Sequence, residues 1–125
     1  MESEFFRKSH ENLKAAQLLS EQELYNASAN RAYYAAFQMA IFILATQGIT
    51  NDRYEHSWVH GNFNTEMIHR RKFFPSRLKS YLSDLQAVRN RADYKAESLS
   101  RNVVSRQLAK AKEFIEIIGK GVSIP

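Results

Sequence analysis

Residues 25–48 read YNASANRAYYAAFQMAIFILATQG, and this stretch decides the fold. Tyr33, Phe37, Ala40 and Leu44 recur at helical spacing, and from Ala32 to Ala45 only Gln38 interrupts the apolar residues. Such a helix is apolar on nearly all sides and has to be covered on nearly all sides. The run is 14 residues long, short of the roughly 20 that span a bilayer, so protein must do the covering. Asn26, Ser28 or Asn30 is expected to cap its start, and Gly48 to supply a left-handed residue just past its end.

The segments on either side provide the cover. Phe5, Leu13, Ala16 and Leu19 make an apolar stripe before it. After it, Leu78, Tyr81, Leu85, Val88 and Ala92 make a second, and Val104, Leu108, Ala111, Ile115 and Ile118 a third, ended by Gly119 and Gly121. Residues 49–55 (ITNDRYE) read as a loop. HSWVHGNFNTEMIH reads as one short helix carried by Val59, Phe63 and Met67, although Gly61 costs about 1 kcal/mol in a helix interior. RRKFFP is a connector, with Pro75 suited to the first turn of the helix that follows. Strand alternation appears nowhere. The expectation for residues 1–125 is one all-α domain, an antiparallel up-down helical bundle of four long helices plus one short helix.

Composition narrows the chemistry. The chain has no cysteine, which excludes disulfides, thiolate-bound zinc and thiol catalysis, and makes a cytoplasmic home the default. It starts with MESEFFRK, which lacks an apolar signal core. Charge is unevenly spread: residues 1–67 carry −3 and residues 68–125 carry +8. A basic half beside an acidic half suits an anionic partner, self-association, or simply solvated helix faces.

Four groups of residues carry chemistry. In LQAVRNRADYKAES (85–98), Arg89, Asn90, Arg91, Asp93 and Tyr94 crowd beside the apolar stripe at a helix end. Either Arg89 pairs with Asp93 while Asn90 and Tyr94 tie down the end, or the guanidinium fork awaits a phosphate. In HRRKFFPSRLK, Arg70, Arg71, Lys72, Arg77 and Lys79 surround Phe73 and Phe74, a mixture suited to single-stranded RNA or to a loop whose aromatics plug the core. Arg101, Arg106, Lys110 and Lys112 on the last helix are expected to extend the same basic surface. His56 and His60, four apart, share a helix face. They fit a zinc pair with Glu66 as third ligand, a plain loop-to-helix junction, or an imidazole delivered to Arg89. Finally, Tyr34 lies about 100° round the helix from Tyr33 and can bond across the bundle. Arg31 opposes the dipole of its own helix and calls for Glu23, Asp93 or a ligand as partner.

The run SANRAYYAAFQMAIFILATQG resembles the second helix of HEPN-domain proteins. EHSWVHGNFN, LQAVRNRADY and SLSRNVVSRQLAKAKEFIEII are similar to the segments that follow it there, so the resemblance spans roughly residues 4–118 in order. It implies a four- to five-helix bundle, usually dimeric, whose members serve as ribonucleases, RNA-binding or scaffolding modules, or toxin partners of small nucleotidyltransferases. Active members carry Arg, usually Asn, and a few residues on a His; two such motifs meet across the dimer and the RNA 2′-hydroxyl attacks its own phosphate. Arg89 and Asn90 match the first two positions, Tyr94 stands where the His is expected, and no histidine follows His69. A phenol is a poor base at neutral pH, where an imidazole is well matched.

The implied function is therefore binding of RNA or nucleotide phosphates, with a degenerate motif of Arg89, Asn90 and Tyr94 and with Arg89, Arg91, Arg70, Arg71, Lys72 and Arg77 as phosphate contacts. No cofactor or metal is expected. A homodimer and a nucleotidyltransferase partner in a toxin–antitoxin or defence setting are the implied associations. Two alternatives stay open: an active ribonuclease whose base is His56 or His60, and a purely structural interaction module.

Overall fold

Helix α2 (Tyr25–Thr46) is the axis of the structure, a computed structural model that describes residues 3–122. Helices α1 (Ser3–Glu21), α3 (His56–Asn62), α4 (Arg77–Tyr94) and α5 (Arg101–Lys120) all pack against it. The described residues contain helices and turns but no strand, and none of those helices is long and apolar enough to cross a membrane.

Small residues decide how closely α1 approaches. Ala32, Ala35, Ala36 and Ala40 are completely buried. Next to them the Ser9 hydroxyl donates to the Ala35 carbonyl and the Ser28 hydroxyl to the Ala16 carbonyl, both at 2.7 Å. A hydroxyl reaches a neighbouring helix's carbonyl only where two backbones come close, which the short side chains permit. These pairs, with Phe6 against Phe42, run in opposite sequence directions and make α1 and α2 antiparallel. The same order holds between α2 and α4, where Tyr34 meets Arg89 and Asn30 meets Asp93. It holds again between α4 and α5, where Arg77 meets Glu113 and Asp84 meets Lys110.

The apolar stripes close the core. Leu78, Leu85, Val104, Ala111, Ile115 and Ile118 are buried as their spacing predicts, and Leu82 and Phe114 join them. Phe63 stacks on Phe74 and meets Phe114 at ring-centroid distances of 6.2 and 5.2 Å. A smaller cluster of Ala29, Leu99 and Val104, backed by Val88 and Ala92, seals the end of the bundle where α4 stops and α5 starts.

Helix ends differ from expectation in instructive ways. Gly48 does adopt φ +76, with its N–H on Ala45 and that of Ile49 on Leu44, a closed Schellman turn. Helix α1 ends on the same motif, Glu23 on Ser20 and Leu24 on Leu19, but with Glu23 at φ +60 in the place that favours glycine. None of Asn26, Ser28 and Asn30 caps α2: Leu24 holds that position without a side-chain cap. Ser28 is committed to α1, Asn30 to Asp93, and Asn26 accepts from the Leu99 backbone N–H across the bundle. Pro75 lies two residues ahead of α4 rather than in its first turn, and its carbonyl accepts from Leu78.

The segment after residue 55 also departs from a single short helix. Helix α3 runs for seven residues and passes into a π-helical stretch, Phe63–Arg70. Its wider turn, closed by the Arg71 N–H on the Glu66 carbonyl, lets Phe63, Met67 and Ile68 all reach the core. Gly61 is exposed at the end of α3, where the helix changes its winding.

Candidate functional site

Two consecutive tyrosines on α2 organise the polar residues. Tyr33 points into the bundle and is completely buried. A buried phenol needs a partner, and α3 supplies two. The Tyr33 hydroxyl lies 2.5 Å from Nδ1 of His56 and 2.9 Å from Nε2 of His60. The spacing of four places both imidazoles on the inner face of α3, and the His56 ring stacks on Tyr33 and sits 4.8 Å from Phe37. The pair is thus not arranged for a metal: both rings are engaged by one hydroxyl, and Glu66 turns instead to Arg70 and Arg71.

Tyr34 points toward α4, as its position on the helix predicts, and accepts from Nη2 of Arg89 at 3.0 Å. The Arg89 guanidinium also covers the Tyr34 ring at 5.3 Å and donates through Nη1 to Asn90 at 3.2 Å. Its Nε is 2.8 Å from Asp93 Oδ2 but lacks hydrogen-bond alignment, so this is a charge contact and not a directed bond. Asp93 in turn accepts from Asn30 at 3.0 Å. Two of the five guanidinium N–H groups are hydrogen-bonded, to Tyr34 and to Asn90, and a third faces Asp93. One N–H on each terminal nitrogen has no hydrogen-bond partner among the described residues.

Arg31 completes the group. Its guanidinium lies 6.0 Å from the Tyr34 ring on α2. The expected carboxylate partner, Glu23 or Asp93, is not what it meets: it donates to Asn30 at 2.8 Å and to Asn12 at 3.4 Å, both neutral. Among the described residues no carboxylate is in ion-pair range of Arg31. Its sequence position marks it as wanting a carboxylate or a ligand as partner, and neither of the two carboxylates is what its guanidinium bonds. Tyr94 projects beside the cluster, 72% exposed, with the Arg89 guanidinium 5.7 Å from its ring. Arg91 is exposed and 3.9 Å from Glu97.

Electrostatics follow from burial. Burial raises the Tyr33 hydroxyl far above the ordinary phenol range, reinforced by Tyr34 and partly offset by Arg89, so it acts as a neutral hydroxyl. Burial and then the Arg89 charge hold His56 below its usual range. Burial and then His56 push His60 down to about 4. Both imidazoles are neutral at pH 7.

The other predicted phosphate contacts are elsewhere. Arg77 begins α4, 12 residues before Arg89, about 18 Å away along the helix. It pairs with Glu113 at 3.0 Å. Arg70 and Arg71 share Glu66, Arg71 also donates to Gln47, and Lys79 is 3.4 Å from His69. Lys72 is exposed at φ +55, and Phe74 fills the core as the plug reading requires. On α5, Lys110 pairs with Asp84. The basic stretch and the Arg89 cluster are thus two separate places, and carboxylates neutralise much of the first. A surface cavity of about 400 Å³ lies apart from the cluster, between the α1–α2 turn and α5, lined by Glu21, Glu23 and Arg101 among others.

No significant match was found among curated proteins. A comparison with protein families matches residues 3–121 to the HEPN domain, nearly the whole chain. Fold, segment order and this match agree, and the protein belongs to the HEPN domain family, a setting of nucleotide- and RNA-related modules in general.

Proposed function

We propose that this protein binds RNA or nucleotide phosphates where α2 meets the end of α4. One observation carries the reading: the guanidiniums of Arg31 and Arg89 flank Tyr34, and Asp93 is the sole carboxylate in ion-pair range of either among the described residues. Two fixed planar cations against one carboxylate leave an electropositive seat for an oxyanion, where each bidentate contact is charge-assisted. The exposed Tyr94 ring beside Arg89 suits stacking by an unpaired base. Phosphate contacts are assigned to Arg89 and Arg31, with Asn90 holding Arg89 in place and Arg91 at the rim. Arg70, Arg71, Lys72 and Arg77 are not part of this seat.

The family supports two associations that belong to the same proposal, a homodimer and a nucleotidyltransferase partner in a toxin–antitoxin or defence setting. Sedimentation at micromolar concentration tests the first: a dimer is expected. Fluorescence anisotropy with a 5′-labelled mixed-sequence single-stranded RNA tests the binding reading. Arg89→Ala is expected to weaken binding about tenfold or more, the loss of one charge-assisted interaction of roughly 1.5–3 kcal/mol. Binding that is absent at low salt, or indifferent to Arg89→Ala and Arg31→Ala, contradicts it.

A further inference from the structure

Tyr33 is a single hydroxyl set between the imidazoles of His56 and His60. It has one proton to give, so it donates to one ring and accepts from the other. Where Nδ1–H of His56 donates to the phenol oxygen and the phenol donates to Nε2 of His60, Nε2 of His56 is left with a bare lone pair. That atom has no hydrogen-bond partner among the described residues and is not sealed from solvent. It can take up a proton without breaking either bond to Tyr33. The hydrogen-bonded chain stays whole, and only the charge of the α3 edge changes.

The groups that face His56 come from three helices. On α2 they are Tyr33, Tyr34 and the apolar Phe37, on α3 His60, and on α4 the Arg89 guanidinium. Among the described residues no carboxylate is in ion-pair range of His56. Its chain neighbour Glu55 is exposed, and Asp93 is held against Arg89. The formal charge that bears on the imidazole is thus the cation of the proposed phosphate seat. Tyr34 is the spacer between them: the His56 ring lies 6.0 Å from the Tyr34 ring and the Arg89 guanidinium 5.3 Å from it. Burial and then Arg89 oppose a proton on His56.

We propose that His56 is a proton-linked regulator of the seat: a phosphate on Arg89 and a proton on His56 favour each other, so RNA is held more tightly in mild acid than at neutral pH. This rests on the phosphate-binding reading above and gives that seat a regulatory input. With the seat empty, the guanidinium repels the incoming proton. A phosphate laid across the guanidinium cancels that repulsion and adds an attraction of its own. The complex therefore takes up the proton at a higher pH than the free protein does. Linkage is reciprocal, so affinity for RNA rises as pH falls from the value at which the complex is protonated to the value at which the free protein is. Below the second value the gain is complete, and at alkaline pH the neutral imidazole contributes none of it. Tyr33 and His60 act as positioning residues, since together they occupy Nδ1 of His56 and leave Nε2 as the atom that titrates.

The test measures anisotropy of the 5′-labelled mixed-sequence single-stranded RNA with the full chain, at constant salt, between about pH 8 and pH 5.5, where imidazoles titrate and nucleobases do not. Circular dichroism on the same samples checks that the helices persist. Affinity is expected to rise about three- to tenfold across this range, the order expected of unit charges one side chain apart in a partly solvated site. His56→Gln, which keeps a hydrogen-bonding side chain against Tyr33 but cannot titrate, is expected to flatten the profile. His10→Gln and His69→Gln, changed outside the seat, are expected to keep the rise. NMR titration of the wild-type His56 ring serves if His56→Gln does not fold: its pKa should move upward when RNA is added, which a ring that only packs would not show. RNA binding that is independent of pH, a rise that survives in His56→Gln, or a His56 ring that titrates identically with and without RNA overturns the coupling and leaves the binding reading intact. A wild type that binds no RNA at any of these pH values removes both.

Discussion

His60 makes the stability of this protein depend on pH in a way that can be calculated. Folding lowers its pKa from 6.5 to about 4, chiefly by burial and then by His56. A depressed imidazole means that the unfolded chain binds the extra proton more readily. The stabilisation is complete above pH 6.5 and is lost as pH falls toward 4. The difference of about 2.5 units is worth at most about 3 kcal/mol, of which about 2 kcal/mol is gone by pH 5 and about 3 kcal/mol by pH 4. Against a typical domain stability of about 5–15 kcal/mol this is a large share. His56 shifts in the same direction and Glu113, whose acidity Tyr81 and Arg77 strengthen, also loses stabilisation in acid. The measurement therefore compares wild type with His60→Gln. Urea unfolding followed by circular dichroism at pH 7, 6, 5 and 4 gives the stability difference between them. Wild type is expected to be the more stable at pH 7, where Tyr33 keeps its second partner, and its advantage should shrink by about 3 kcal/mol by pH 4. A difference that stays constant from pH 7 to pH 4 refutes the assignment of His60 as a neutral buried imidazole.

The two Schellman turns should respond oppositely: Gly48→Ala at φ +76 is expected to destabilise by about 1 kcal/mol, and Glu23→Gly at φ +60 to stabilise by about 0.5–1 kcal/mol, both read from denaturation midpoints. Phe114→Ala, which empties a fully buried site against Phe63, should cost about 3–5 kcal/mol by urea unfolding. Glu113→Gln weakens a surface network of Arg77 and Tyr81, and thermal melts at pH 7 should show only a small fall in midpoint.

Periodicity made the long helices legible because burial acts on every turn alike, and Gly48 was legible because one backbone conformation favours one residue there. Tyr34 was placed correctly by its angle from Tyr33. What could not be read depends on where α3 docks. Nothing local in HSWVH says that both imidazoles close on Tyr33, 23 and 27 residues earlier. The π-helical turn is equally hidden, since its cause is the joint burial of Phe63, Met67 and Ile68. The caps expected of Asn26, Ser28 and Asn30 failed because each side chain found a tertiary partner that outcompeted its own helix end. The ion pairs of the basic stretch were hidden for a related reason. Arg70, Arg71 and Arg77 look like a phosphate surface in sequence, but Glu66 and Glu113 come from a helical turn and from another helix to pair with them. Arg31 is the converse, a lone arginine in sequence whose neighbours prove to be amides.

The salt dependence of RNA binding tests the two-arginine seat most directly, because it counts the phosphates engaged. Each phosphate that is no longer neutralised should flatten the plot of log affinity against log salt by about 0.7 for a single strand. The double variant Arg31→Ala with Arg89→Ala empties the one-phosphate seat and is therefore predicted to lower the slope by about 0.7, while Arg70→Ala with Arg77→Ala leaves it unchanged. The reverse pattern, a slope that responds to Arg70 and Arg77 but not to Arg31 and Arg89, contradicts the account.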